Sequence, residues 1–160
     1  MATEIATPAL LAGQDVHPLR EIWRSPGTLT WAAALGDGGP RLVLRTMTRT
    51  TARAFRLRQR EVARLGHEAI PGPLAVGMVD RVLSQRSGGH LPEGAPAVAL
   101  PWTPGDRCGP ARTWGWSALR GLLDETLGAL AHAHARGVLH LDLRPSALLL
   151  RRAGGVALVD

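Results

Sequence analysis

Three residues capable of acid–base or ionic chemistry lie within five positions of one another in His140-Leu-Asp142-Leu-Arg144-Pro-Ser-Ala147. A carboxylate can accept a proton from a hydroxyl, and a guanidinium two residues on can steady an anion. By itself a His-x-Asp triplet is a weak signal, because a loop aspartate also serves as a local cap. A second carboxylate, Asp160, ends the apolar run that follows. His132, His134 and His140 invite a metal reading. However, His132 and His134 stand two apart on a helical stretch and do not share a face. No cysteine or carboxylate joins them at zinc spacing. Packing and loop hydrogen bonds are the expected work of His134 and His140.

The elements around this loop must hold it in place. Upstream, 117–136 reads as a helix. Leu119, Leu122, Leu123, Leu127 and Leu130 recur at helical spacing, with Ser117 as N-cap and Gly137 just past the end. Downstream, two apolar runs, 147–150 and 156–159, flank Arg-Arg-Ala-Gly-Gly, a hairpin signal. Earlier in the chain, 21–35 reads as two strands about the turn Ser25-Pro26-Gly27, and 41–47 as a third. A helix is expected over 51–65, ended by Gly66 and barred from continuing by Pro71 and Pro73. Residues 74–83 and 95–100 read as two more strands, separated by a polar, glycine-rich loop at 84–94. The segment 101–112 is irregular and makes a natural boundary, and 1–17 reads as a tail. Trp114 and Trp116 are expected to anchor packing at the start of the long helix.

Composition narrows the function classes. At 160 residues the chain suits one domain, and 45% apolar residues suffice for a core. All nineteen basic residues are arginine, and the formal charge is +6. The arginines are scattered and no aromatic residues interleave with them as a base-stacking platform. A compositional preference for arginine over lysine therefore accounts for them better than nucleic-acid binding does. Cys108 is the single cysteine, so no intrachain disulfide forms, which fits a reducing compartment. No apolar run is long enough to span a bilayer, and no charged leader precedes an apolar stretch. A cytoplasmic location is the expectation.

Taken in order, the helix, Gly137, His140, Asp142, Pro145, the hairpin and Asp160 resemble the catalytic-loop region of serine/threonine protein kinases, over 34 contiguous residues. The resemblance implies a proton-accepting role for Asp142 and a phosphate-steadying role for Arg144 at the family's lysine position. It implies a magnesium ligand in Asp160. Ala147 stands where the family's magnesium-binding Asn is found, and Leu141 where the Arg of His-Arg-Asp is found. Leu42-Val43-Leu44-Arg45 resembles the third-strand motif, with Arg45 at the lysine position. The matching acid of the next helix falls on Arg58, with Glu61 one turn on. If Gly27 is the third glycine of the phosphate loop, the other two fall on Ile22 and Arg24. Residues 100–105 resemble the hinge, with Leu100 as gatekeeper and the Pro101 carbonyl and Thr103 amide available to adenine.

The fold this implies is α+β and protein-kinase-like. It has a five-stranded antiparallel N-lobe with one helix over 18–101, then a hinge and a partial helical C-lobe over 102–160. The function it implies is a pseudokinase-like module that binds protein, and ATP with magnesium weakly or not at all. An active serine/threonine kinase, or a fragment of one, is the first alternative. An arginine-rich nucleic-acid binder is the second. The Leu119, Leu122, Leu123, Leu127 and Leu130 face is the expected contact for a protein partner or a second copy, because a large bare apolar patch is unusual on a monomer.

Overall fold

A computed structural model describes residues 9–11, 13–48, 50–109 and 114–159. The chain divides into two compact units. One comprises Gly72–Trp102 with the described residues up to Arg64. The other comprises Leu65–Pro71 with the described residues from Thr103 onward.

The first unit is built on a six-stranded sheet. Its strands are β1 (Ala9–Leu10), β2 (Val16–Ser25), β3 (Thr28–Leu35), β4 (Arg41–Met47), β5 (Ala75–Met78) and β6 (Pro96–Pro101), in the order β1-β5-β6-β4-β3-β2. Five of them pair antiparallel, and β1 adds a parallel edge beside β5. The two edge strands, β1 and β2, are consecutive in the chain. Laid flat, six strands would put those edges about 24 Å apart. The six-residue step from Leu10 to Val16 reaches about 21 Å at full extension, and it contains a turn closed by the Gln14 amide on the Leu11 carbonyl. The sheet therefore curls.

Strand alternation sorts the two faces. Leu29, Trp31 and Ala33 of β3, Leu42 and Leu44 of β4, and Ala97 and Ala99 of β6 form the inner core. The segment 79–95 closes over it. Here the structure departs from the sequence reading of one strand over 74–83 and a loop after it. β5 ends at Met78, and α2 (Arg81–Arg86) follows, because the Asp80 carboxylate caps the Leu83 amide at 2.7 Å. On the opposite face, α1 (Ala52–Ala63) seats Phe55 against Val76 and Val98, with Met47 and Leu100 beside them. Thr51 caps α1 through its hydroxyl.

Part of the segment read as a tail is structured. β1 lies within it, Leu11 is 4% exposed, and its amide bonds the Val76 carbonyl. A Cβ on Gly77 would come within 2.7 Å of the Leu11 Cβ, so the glycine lets that segment seat.

The second unit packs α3 (Trp116–His134) on a three-stranded sheet of β7 (Gly105–Arg107), β8 (Leu148–Arg151) and β9 (Val156–Leu158). β7 lies in the stretch read as irregular. The buried residues of α3 are Leu122, Thr126, Ala129 and Ala133. Leu119 and Leu130 pack beside them, whereas Leu123 and Leu127 are exposed. The five leucines thus do not form one free face: Leu119, Leu122 and Leu130 are spent inside the unit. Trp114 packs against the Leu122 cluster, but Trp116 is 73% exposed and belongs to no core cluster among the described residues. No helix among the described residues is long and apolar enough to cross a membrane.

Candidate functional site

Two groups of the residues singled out from sequence are each held together within one unit. In the first unit, β3–β4 and β4–β6 registers place Thr30, Arg45 and Val98 side by side, and Val43 beside Leu100. Arg45 and Leu100 therefore share the face that α1 covers, opposite the inner core. Arg45 is 8% exposed and Thr30 1%. Pro101 ends β6, paired with Leu42. The Trp102 ring next to it carries the Arg41 guanidinium 5.9 Å from its centroid, a cation–π distance.

On α1, Arg58 and Glu61 are both exposed. The Glu61 carboxylate pairs with Arg64 of its own helix at 3.3 Å. The strand tip is the decisive feature of this unit. Ser25 pairs with Thr28, so the β2–β3 connection is the two-residue turn Pro26-Gly27. Gly27 sits at φ 85°, which only glycine adopts without penalty, and Pro26 supplies the fixed φ before it. Ile22 and Arg24 lie within β2, Arg24 paired with Leu29 and Ile22 at the bulge between Glu21 and Trp23, not in an open loop.

In the second unit the loop between α3 and β8 holds His140, Asp142 and Arg144. Arg144 Nη2 stands 3.4 Å from Asp142 Oδ2, and the Asp142 side chain is well exposed. Both ring nitrogens of His140 are shut off from solvent. A 3-10 turn, Pro145–Ala147, follows. It is fastened by the Arg107 guanidinium donating to the Ser146 carbonyl and by the Val159 amide donating to the Ala147 carbonyl. Ala147 is fully buried. Leu141, between His140 and Asp142, is the one non-glycine residue at positive φ among the described residues, at 65°, and it is 81% exposed. Thr103 also belongs to this unit. Asp160, expected as a metal ligand, lies outside the described residues. Among the described residues no group of three or more His, Cys, Asp or Glu is placed to hold a metal ion.

Two residues of these groups were not legible in advance. Thr30 is identified only by the strand register that sets it beside Arg45. Arg107 acts across 39 residues on the loop it fastens, and nothing local marks it. The histidine that makes the structural contact is His132, whose Nε2 donates to the Leu65 carbonyl. His134 is exposed.

No family model and no curated protein matches this sequence. Among solved structures, the apo form of PpkA-294 superposes with a TM-score of 0.72 at 12% identity. The match covers 98% of this chain and 62% of that one, so the chain spans less than two thirds of its structural neighbour. PpkA is a bacterial Ser/Thr kinase, and the likeness shows that the chain has a kinase-like fold.

Proposed function

We propose that this chain is a kinase-like module that works by binding protein and does not transfer phosphate. One observation carries the reading: the Pro26-Gly27 turn joins β2 and β3 directly. A phosphate cradle needs several successive backbone amides turned toward the anion, and a two-residue turn cannot supply them. The remaining parts agree. Arg45 replaces the lysine of the motif it resembles, and Arg58 replaces the acid. The Ala147 methyl group cannot ligate magnesium. The residues present thus do not fit magnesium-bound ATP.

The test is calorimetry of the purified chain with ATP, with and without magnesium, alongside phosphate transfer from labelled ATP. No magnesium-dependent heat and no transfer is the expected result. Transfer that disappears in Asp142→Asn would overturn the reading in favour of an active kinase, the alternative that the exposed Asp142 carboxylate beside Arg144 keeps open. Nucleic-acid binding is a weaker reading, because Arg24, Arg64, Arg86, Arg120 and Arg144 each pair with a carboxylate of the chain. Duplex binding that falls steeply with salt would restore it.

A further inference from the structure

Three large apolar side chains of α3 face solvent: Trp116 at 73% exposure, Leu123 at 44% and Leu127 at 60%. At 100° per residue they fall within an arc of about 40°. That arc adjoins the side buried in the unit. Their exposed area is roughly 350 Å², given the size of tryptophan and leucine side chains, and it approaches the largest apolar patch tolerated on typical monomers. On the same exposed side, Arg120 and Asp124 lie one turn apart, 3.7 Å between Nε and Oδ2.

This stripe is complementary to itself. Set two copies of α3 antiparallel about a two-fold axis near Leu122. Each Trp116 then lies over the Leu127 of the other copy, and the two Leu123 side chains meet close to the axis. Arg120 of each copy reaches Asp124 of the other, giving two symmetric ion pairs along one rim. A standard interface takes about 800 Å² per partner, of which roughly three fifths is apolar. The three side chains supply most of that apolar share, and the charged rim supplies polar surface.

We infer that α3 is a homodimer interface, with a second copy of this chain packed antiparallel through Trp116, Leu123 and Leu127 and registered by Arg120–Asp124 pairs. The inference rests on reading the module as one that works by binding protein, and it names the partner.

The experiment is sedimentation equilibrium of the full chain at about 0.1 mM, a concentration that populates interfaces of this class. A mass of twice 17.0 kDa is expected. Leu127→Glu should reduce it to one chain, with the far-ultraviolet circular dichroism unchanged because the residue is exposed. Arg120→Asp should raise the dimer dissociation constant at least tenfold, and Arg120→Asp with Asp124→Arg should restore it, since the swap remakes both pairs. A wild-type monomer at that concentration would overturn the proposal, as would a dimer indifferent to all three variants. The ATP calorimetry and transfer assay stand apart from this. A monomer that transfers no phosphate sinks the second copy and leaves the binding-module reading untouched.

Discussion

The His67 and His132 rings meet in a tilted contact, centroids 4.8 Å apart and 56° between their planes. Each also fixes backbone. His132 Nε2 donates to the Leu65 carbonyl at 2.5 Å, and the Ala69 amide donates to His67 Nδ1 at 3.1 Å. The two contacts assign tautomers: the proton sits on Nε2 of His132, and Nδ1 of His67 is bare. Leu65–Pro71 is thereby tied to the last turn of α3. The Leu158 amide adds a third tie, donating to the Ala69 carbonyl.

His132→Phe keeps the ring and removes the donor. Leu65 is 4% exposed, so its carbonyl would be left buried without its partner. The expected loss of stability is about 1–2 kcal/mol. Urea unfolding of the variant against the wild type measures it, and no change in the midpoint would show that the ring contact alone holds the segment.

Asp15 links β2 to α2. Its carboxylate accepts from Arg86 Nη1 at 2.7 Å and from His17 Nε2 at 2.9 Å. These hydrogen bonds, the Arg86 one foremost, hold the carboxyl below its usual range. Glu21 is likewise lowered, chiefly by its hydrogen bonds from Arg24. A group whose folded pKa is depressed stabilises the fold above its unfolded pKa. That stability is lost as pH falls through the folded value. Unfolding midpoints should therefore be flat from neutral pH down to roughly 4 and decline below it. Asp15→Asn should shrink the acid decline, leaving the part due to Glu21. An acid limb of unchanged depth in Asp15→Asn would remove Asp15 from the account.

Most elements were legible where a local signal announced them. Pro26-Gly27 marks the first hairpin, Gly66 marks the end of the helix expected over 51–65, and the two glycines before Val156 mark the last hairpin. The elements that escaped are those made by distant partners. Ala9–Leu10 is a strand only because β5 offers it an edge. α2 carries its own cap in Asp80, but the apolar residues on both sides suited a strand equally well. On α3 Leu123 and Leu127 misled, because periodicity weights large residues while packing chose Thr126, Ala129 and Ala133 beside Leu122, small enough to let the helix lie close on β9. The candidate site divides the same way. Asp142 and Arg144 are two residues apart and could be read together directly. Thr30 beside Arg45 needs the β3–β4 register, and no local pattern yields that.

Gly77 offers a direct test of the β1 strap. Adding a methyl group there places it 2.7 Å from the Leu11 Cβ and 3.3 Å from the Leu11 amide nitrogen. All the crowding atoms are the backbone and Cβ of the buried Leu11, which leave little room to yield. Gly77→Ala should cost about 1–3 kcal/mol, or dislodge β1 and spare the rest of the sheet. Hydrogen exchange separates the two outcomes. If β1 alone is dislodged, the Leu11 amide, which bonds the Val76 carbonyl, loses protection while the β3–β4 amides keep theirs. Unchanged exchange throughout would mean that the crowding is relieved elsewhere.

Leu141 presents the opposite situation, a strained residue whose side chain is exposed. At φ 65° its Cβ crowds the following carbonyl, a conformation costing an ordinary side chain on the order of 1 kcal/mol. Its 81% exposure shows that packing offsets little of that cost. The constraint comes from the residues on either side, with the His140 ring nitrogens inside the fold and Asp142 outside beside Arg144. The chain bends between them, and the left-handed step makes the bend. Asparagine tolerates that step far better than leucine. Leu141→Asn should therefore stabilise the chain by about 0.5–1 kcal/mol. It should leave the sedimentation behaviour unaltered, since position 141 lies outside the Trp116–Leu127 stripe. Thermal unfolding together with sedimentation reads both. A destabilised Leu141→Asn would mean that the leucine side chain is buried in solution, and that the loop turns by another route.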